Sequence, residues 1–428
     1  MMNSRSAYVV IGLGVNLLML VRGVVLMIAL DYAALGLVAL VQAAILVSGL
    51  MHFGLLNGGY RLLCSAGDRT KQRIIDLAYT GFAIIAAIIT LVAAGVVAMT
   101  GSAYAEIAIL TAMGGIAILL RSWMLNEMVA AGRFGIANLI NALSMIASLA
   151  VLLMLLPSWS TSPKADGASV AVLSIAIQPV LFAALALISG AVLRPKSLRV
   201  SKRLGGVVFK AGFVLFLTGI AIQFNTLIER AYVTSELGLD ALGRLYLAFL
   251  FLTLFNLAPN LVQQVFLPNI VRHWKAGEAA ATSRELRTLL AITVGYCTAA
   301  VLALWLLAEP LLGLVLPKYV PDLHWVYLLT PGLIAFALSA PFALTYNVVI
   351  DYSWYVIAYG AGVIVTLLAF GGALLLGETF SLDGVIILRA SIYALMAVLL
   401  AVGWWQLSRR HPEFRLFAPR LAANRASV

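Results

Sequence analysis

Long, almost unbroken apolar runs alternate with short polar connections along the whole chain. The runs lack the period-2 alternation of barrel strands, so they predict helices. A membrane-spanning helix needs about 20 apolar residues. Twelve stretches meet that need: 8–30, 33–56, 76–99, 103–121, 136–156, 169–193, 206–228, 241–267, 288–308, 325–349, 354–377 and 384–407. The predicted fold class is an all-α polytopic membrane protein. Composition agrees: 63% of the 428 residues are hydrophobic and 11% charged, against roughly 25% charged in soluble domains. The connections are all too short for a folded soluble domain, which takes at least about 50 residues. Function is therefore expected inside the bundle or at its loop mouths. The first run follows Arg5, as a signal peptide would, but it contains Arg22 and no small-residue cleavage site. It reads as a retained span.

The net charge of +11 changes meaning once its position is considered. With the N-terminus set inside, 22 of the 28 Lys and Arg fall on inner segments and four on outer ones. That alternation predicts both termini on the cytoplasmic side. The weak point is the inner turn at 351–353, which has no Lys or Arg; a missed or extra span would sit there. The charge is topogenic and faces anionic lipid, and no nucleic acid is expected as a partner. Leu35-Gly36 opens the second span and Leu242-Gly243 the eighth, an offset of 207 residues. The longest basic connection, Arg194 to Lys210, lies between the halves. This suggests two parallel repeats of six spans. The expected division is an N-terminal lobe over 1–200, a C-terminal lobe over 201–410 and a basic cytoplasmic tail over 411–428.

Motifs for enzymatic chemistry are missing. The chain has no Walker loop, no zinc-protease motif and no cysteine cluster, and its four His residues are scattered. Neither a catalytic site, a cofactor nor a metal is expected. Gly12-Leu13-Gly14 reads as a packing site for a neighbouring helix. Polar residues inside the spans carry more information, because a cation there costs about 2.5–3.5 kcal/mol and usually faces a cavity or partner. Arg22 stands roughly 21 Å into the first span with no acid in that span. Arg389 stands roughly 8 Å into the last one, where pairing with Asp383 or snorkelling would also account for it. Arg230 and Arg244 flank the outer mouth between spans seven and eight; Asp240 and Arg244 have the spacing of an ordinary helix ion pair. Arg binds phosphate through a planar fork and keeps its charge, so these groups suit a diphosphate.

Two polar stripes accompany them. Gln223, Thr226 and Arg230 share one face of span seven, and Asn256, Asn260 and Gln263 share one face of span eight around Pro259. The amides suit sugar hydroxyls or helix–helix adhesion equally. His52 and Glu229 are the candidates for ion coupling. Glu127 and Asp76 stand at inner helix ends, where solvation accounts for them. Pro331 and Pro341 predict a bent tenth span.

Several stretches resemble one family. Asp31 to Arg61, "DYAALGLVALVQAAILVSGLMHFGLLNGGYR", resembles the second-span signature of oligosaccharide flippases, with His52 at the usual acid. "NTLIERAYVTSELGLDALGRLYLA" resembles the start of that family's second half, with Glu229-Arg230 where Asp-Arg is usual. "EPLLGLVLPKYVPD" is similar to its turn before span ten, with Pro317 for Gly, and "RSWMLNEMVAAGRFGIANLI" to its loop after span four. The family is the Wzx-type group of the multidrug/oligosaccharidyl-lipid/polysaccharide exporter superfamily. The resemblance implies two six-helix lobes forming a V-shaped, alternating-access bundle around a central cavity. It implies a polyprenyl-diphosphate-linked oligosaccharide as cargo, moved between leaflets of the bacterial cytoplasmic membrane for surface polysaccharide synthesis. Membrane lipids and the polysaccharide polymerase and export proteins are the further expected partners. Arg22, Arg61 and Arg230 fall where the family carries cavity or span-end cations. Three alternatives stay open. A multidrug exporter would favour carboxylates deep in the first lobe. A lipid II flippase typically adds two C-terminal spans. A scaffold of an export complex would leave the buried arginines dispensable.

Overall fold

The computed structural model describes residues 4–64, 67–159, 164–197 and 201–416. It is all-helical, with no strand among the described residues. The helices are α1 (Ser4–Ala29), α2 (Tyr32–Leu50), α3 (Leu55–Leu63), α4 (Asp68–Thr100), α5 (Ala105–Ala130), α6 (Phe134–Trp159), α7 (Lys164–Ile188), α8 (Lys202–Glu236), α9 (Gly238–Arg244), α10 (Tyr246–Lys275), α11 (Ala279–Val315), α12 (Leu323–Leu338), α13 (Ala340–Val349), α14 (Ser353–Leu376) and α15 (Leu382–Arg410). Among the described residues, eleven helical stretches are long and apolar enough to cross a membrane, and α1 adds a shorter apolar run, Gly14–Ala29. Leu375, 89% exposed, and Met99, 88% exposed, are typical of the outward faces. Such surfaces are stable only where the solvent is lipid.

Packing divides the chain into two compact units, Met1–Tyr246 and Leu247–Val428. In the first, α2 is the central helix and packs on α5, α7, α8 and α9. One apolar cluster joins Ile74, Ile75 and Phe82 of α4, Leu119 and Trp123 of α5, and Phe182 of α7. Phe82 meets Trp123 edge-on with ring centroids 5.7 Å apart. The second unit is built on α15, which packs on α12 and α14. There Tyr346 donates its hydroxyl to the Leu400 carbonyl at 2.7 Å.

Several spans differ in detail from the sequence expectation. The second span ends early: α2 stops at Leu50, and Phe53 (φ 45°) and Gly54 (φ 83°) turn the chain before the amphipathic α3 begins. Two consecutive left-handed residues cannot continue a right-handed helix. The tenth span breaks at Ser339 into α12 and α13. Pro341 then sits in the first turn of α13, where a missing N–H leaves no bond unmade. The turn at 351–353, which has no Lys or Arg, holds no extra span. The Asp351 carboxylate accepts from the Ser353 N–H at 3.1 Å and its hydroxyl at 2.8 Å. Those two bonds hold the Asp351 carboxyl below the usual carboxylate range.

The glycines also sort differently. A Cβ added at Gly12 or Gly14 would meet nothing within 4 Å, so the expected packing site there is not formed among the described residues. The two Leu-Gly pairs pack on each other instead. A Cβ on Gly36 would lie 2.0 Å from the Leu239 carbonyl oxygen, and one on Gly243 would lie 1.9 Å from that of Tyr32. Gly36 and Gly243 are 207 residues apart, and so are Tyr32 and Leu239, so the contact between α2 and α9 is reciprocal.

Candidate functional site

Arg22 is the most informative sequence candidate in its surroundings. It projects from α1, is 8% exposed, and lies among neutral groups. Its Nη1 donates to Ser148 Oγ of α6 at 3.1 Å and to Gln178 Oε1 of α7 at 3.3 Å. The Ser148 hydroxyl in turn donates to the Ser174 carbonyl at 2.5 Å. Tyr246 is an electrostatic neighbour of Arg22, and its hydroxyl accepts from Gln42 Nε2 of α2 at 3.3 Å. No carboxylate pairs with Arg22 among the described residues. A buried guanidinium held by neutral acceptors keeps its full charge without a counter-ion, which favours an anionic ligand.

The sequence did not single out Ser148, Gln178, Gln42 or Tyr246. A signal for two of them was present. Ser144 and Ser148 stand at i,i+4 in α6, and Ser174 and Gln178 at i,i+4 in α7. Each pair places two polar groups on one face of an otherwise apolar helix. All four are buried.

The other candidates have different surroundings. Arg230 is buried in α8, and its Nη1 donates to the main-chain carbonyl of Ala39 in α2. Glu229 beside it is also buried, and Gln223, two turns earlier, is half-buried. Arg61 is exposed at the end of α3, with Nη1 at 3.5 Å from the Ala211 carbonyl, the long limit of a hydrogen bond. Arg244 lies 5.4 Å from the Tyr32 ring centroid. In the second unit, Arg389 is 4% exposed and sits between aromatic faces, 5.9 Å from the Phe249 centroid and 5.5 Å from that of Tyr393. Asp383 accepts from Trp325 Nε1 at 2.8 Å. Gln263 is half-buried in α10; the side chains of Asn256 and Asn260 lie outside the described ones.

His52 occupies the break between α2 and α3. It is 2% exposed and meets Phe216 edge-on at 5.5 Å. Its Nδ1 accepts the Gly54 N–H at 3.2 Å, which requires a ring nitrogen without a proton. Burial pushes the imidazole down to about 4, so in this state the ring is neutral at physiological pH and caps the turn.

Glu127 and Asp76, expected to be solvated, are buried. Glu127 Oε1 accepts the Leu193 N–H at 2.5 Å. Asp76 accepts from Gln72, from the Lys196 N–H and from the Ser197 hydroxyl at 2.8–3.0 Å. The residues they hold belong to the connection after α7, which in the sequence reads only as a basic linker.

The fold defines a class: a polytopic α-helical membrane protein with buried cations inside its bundle. Solved structures similar to it include a transporter and a flippase by name. An inward-facing multidrug resistance MATE family transporter of the MOP superfamily matches with a TM-score of 0.73 at 12% identity, covering 92% of this chain and 95% of that one. The lipid II flippase MurJ in an inward closed conformation matches with a TM-score of 0.70 at 15% identity, covering 93% and 87%. A MATE structure in the straight conformation gives 0.61 at 14% identity, covering 96% and 97%. At these identities the likeness is one of fold. No protein-family model and no curated protein sequence matches the chain.

Proposed function

We propose that this protein is a flippase that moves a polyprenyl-diphosphate-linked oligosaccharide across the bacterial cytoplasmic membrane by alternating access. The observation that carries the reading is Arg22, buried and hydrogen-bonded to Ser148 and Gln178 with no carboxylate partner among the described residues. In this reading Arg22 holds the diphosphate, and Ser148 and Gln178 fix the plane of its fork. Arg61, Arg230 and Arg389 are further contacts for the phosphates, while Gln223, Asn256, Asn260 and Gln263 serve the sugar hydroxyls. The prenyl tail stays in lipid. The lobes are 1–200 and 201–410, both termini are cytoplasmic, and polymerase and export proteins receive the product. The fold it shares with solved transporters, one of them a flippase of a lipid-linked substrate by name, supports the reading without specifying the cargo.

A multidrug exporter is the second reading, favoured by the MATE fold likeness. An organic cation would be repelled by Arg22, so the first reading is preferred. The test uses intact spheroplasts of a deletion strain and its complemented parent. An impermeant lectin should reach the lipid-linked oligosaccharide only in the complemented strain. Equal access in both strains would sink the proposal and turn attention to drug efflux.

A further inference from the structure

The connection after α7 is docked as a strap at the Lys/Arg-rich end of α4 and α5. Ala191 and Val192 are buried in the large apolar cluster of the first unit. Arg133 Nη1 donates to the carbonyls of Gly190 and Ala191 at 3.2 and 2.9 Å. Gln72 donates to the Arg194 carbonyl at 3.0 Å. Asp76 takes the Lys196 N–H and the Ser197 hydroxyl, both at 2.8 Å. Glu127 takes the Leu193 N–H. The strap is thus held mainly by its backbone, through side chains from α4, α5 and the turn into α6, with the Ser197 hydroxyl and the buried Ala191 and Val192 adding to it.

The two carboxylates in this clamp are not alike. Asp76 has donors on both oxygens. Glu127 has one, on Oε1. Its Oε2 is buried without a hydrogen-bond partner among the described residues, and so is the hydroxyl of Tyr79 on α4. Tyr79 and Glu127 are electrostatic neighbours. Three cations on the segments next to α5 are engaged elsewhere. Arg133 acts on it electrostatically, but its Nη1 is bonded to the strap carbonyls. Arg194 Nη2 points to the Leu187 carbonyl at 3.4 Å. Arg61, on α3, reaches toward Ala211. Among the described residues, Glu127 therefore stands as a buried carboxyl with no hydrogen-bonded cation and one oxygen without a hydrogen bond.

We propose that Glu127, set beside Tyr79, is a proton-binding site that governs how firmly the strap 190–197 is docked. With the carboxylate charged, the Leu193 N–H has a charge-assisted acceptor; with a proton on Oε2, Oε1 remains only as a neutral acceptor of about half the strength. The ligand is the proton, and the readout is the strap itself.

The test is amide hydrogen exchange of residues 190–197 in the full-length protein in lipid nanodiscs, with Glu127→Gln and wild type compared at the same pH. That comparison cancels the intrinsic pH dependence of exchange. At pH 8.5 the variant should exchange roughly fivefold faster, the ratio for a charged acceptor replaced by a neutral one. At pH 5.5 the two should converge. A ratio that stays constant with pH would mean a purely structural anchor and overturn the proposal, as would equal exchange at every pH. Asp76→Asn should raise exchange by a factor that varies less with pH; if it converges with wild type at low pH and Glu127→Gln does not, the proton site is Asp76 and the proposal fails. Tyr79→Phe, which keeps the carboxyl, should move the midpoint of the transition; an unmoved midpoint removes Tyr79 from the site.

Discussion

Arg22 was legible in the sequence because a lone arginine deep in an apolar run has few structural explanations. Its partners were not, since serines and amides in spans serve as helix adhesion as often as they line sites. Only the packing of α1 on α6 and the neighbouring α7 turns Ser148 and Gln178 toward the same guanidinium. Arg22→Ala should abolish transport while leaving membrane levels intact, and Arg22→Lys should stay severely impaired because the ammonium keeps the charge but loses the fork. Near-normal surface polysaccharide in the alanine variant removes Arg22 from the mechanism. Gln178→Ala should lower transport about tenfold, the scale of one hydrogen bond to a charged group. His52 makes a prediction of opposite character. Its folded-state value of about 4 lies below the ordinary 6.5, so its stabilising contribution is complete above about pH 6.5 and is lost as pH falls toward 4. The loss amounts to roughly 3 kcal/mol. Thermal unfolding in detergent from pH 7.5 to 4 should show it, and His52→Asn, which can still accept from Gly54, should flatten the curve.

At the scale of elements, hydropathy located the helices well because bilayer thickness sets their minimum length. It located their breaks poorly. The turn after α2 depends on Phe53 and Gly54 adopting left-handed backbone angles beside a buried histidine, and no apolar count registers that. The glycines make the same point. Gly12-Leu13-Gly14 reads as a contact motif, yet a Cβ at Gly12 or Gly14 would meet nothing among the described residues, whereas Gly36 and Gly243, noticed only as parts of a repeat, bring two backbones together. Gly36→Ala or Gly243→Ala should destabilise the protein by about 1–3 kcal/mol through overpacking, because the obstructing atom is a carbonyl oxygen rather than a flexible side chain. Gly12→Ala should be tolerated with no loss. Melting temperatures of the three variants separate these outcomes, and a destabilised Gly12→Ala with a normal Gly36→Ala would reverse the assignment.

At the scale of the whole molecule, the alternation of Lys and Arg predicts that the basic ends face the cytoplasm. The two cysteines provide a direct check, since Cys64 is exposed in a basic connection and Cys297 is buried. An impermeant maleimide should leave Cys64 unlabelled in intact spheroplasts and label it in inverted vesicles; labelling from outside would invert the topology. By itself the sequence determined the fold class, the approximate spans and the presence of isolated cations within them. Each of these follows from the cost of polar groups in hydrocarbon, which acts on every residue independently of its neighbours. Tertiary structure alone decided which cation is held by neutral partners and which is bonded to a backbone carbonyl. It also decided that two carboxylates assigned to solvent instead hold a strap, and that two distant Leu-Gly pairs touch. Those outcomes depend on how helices rotate and cross, and packing complementarity between faces sets that geometry.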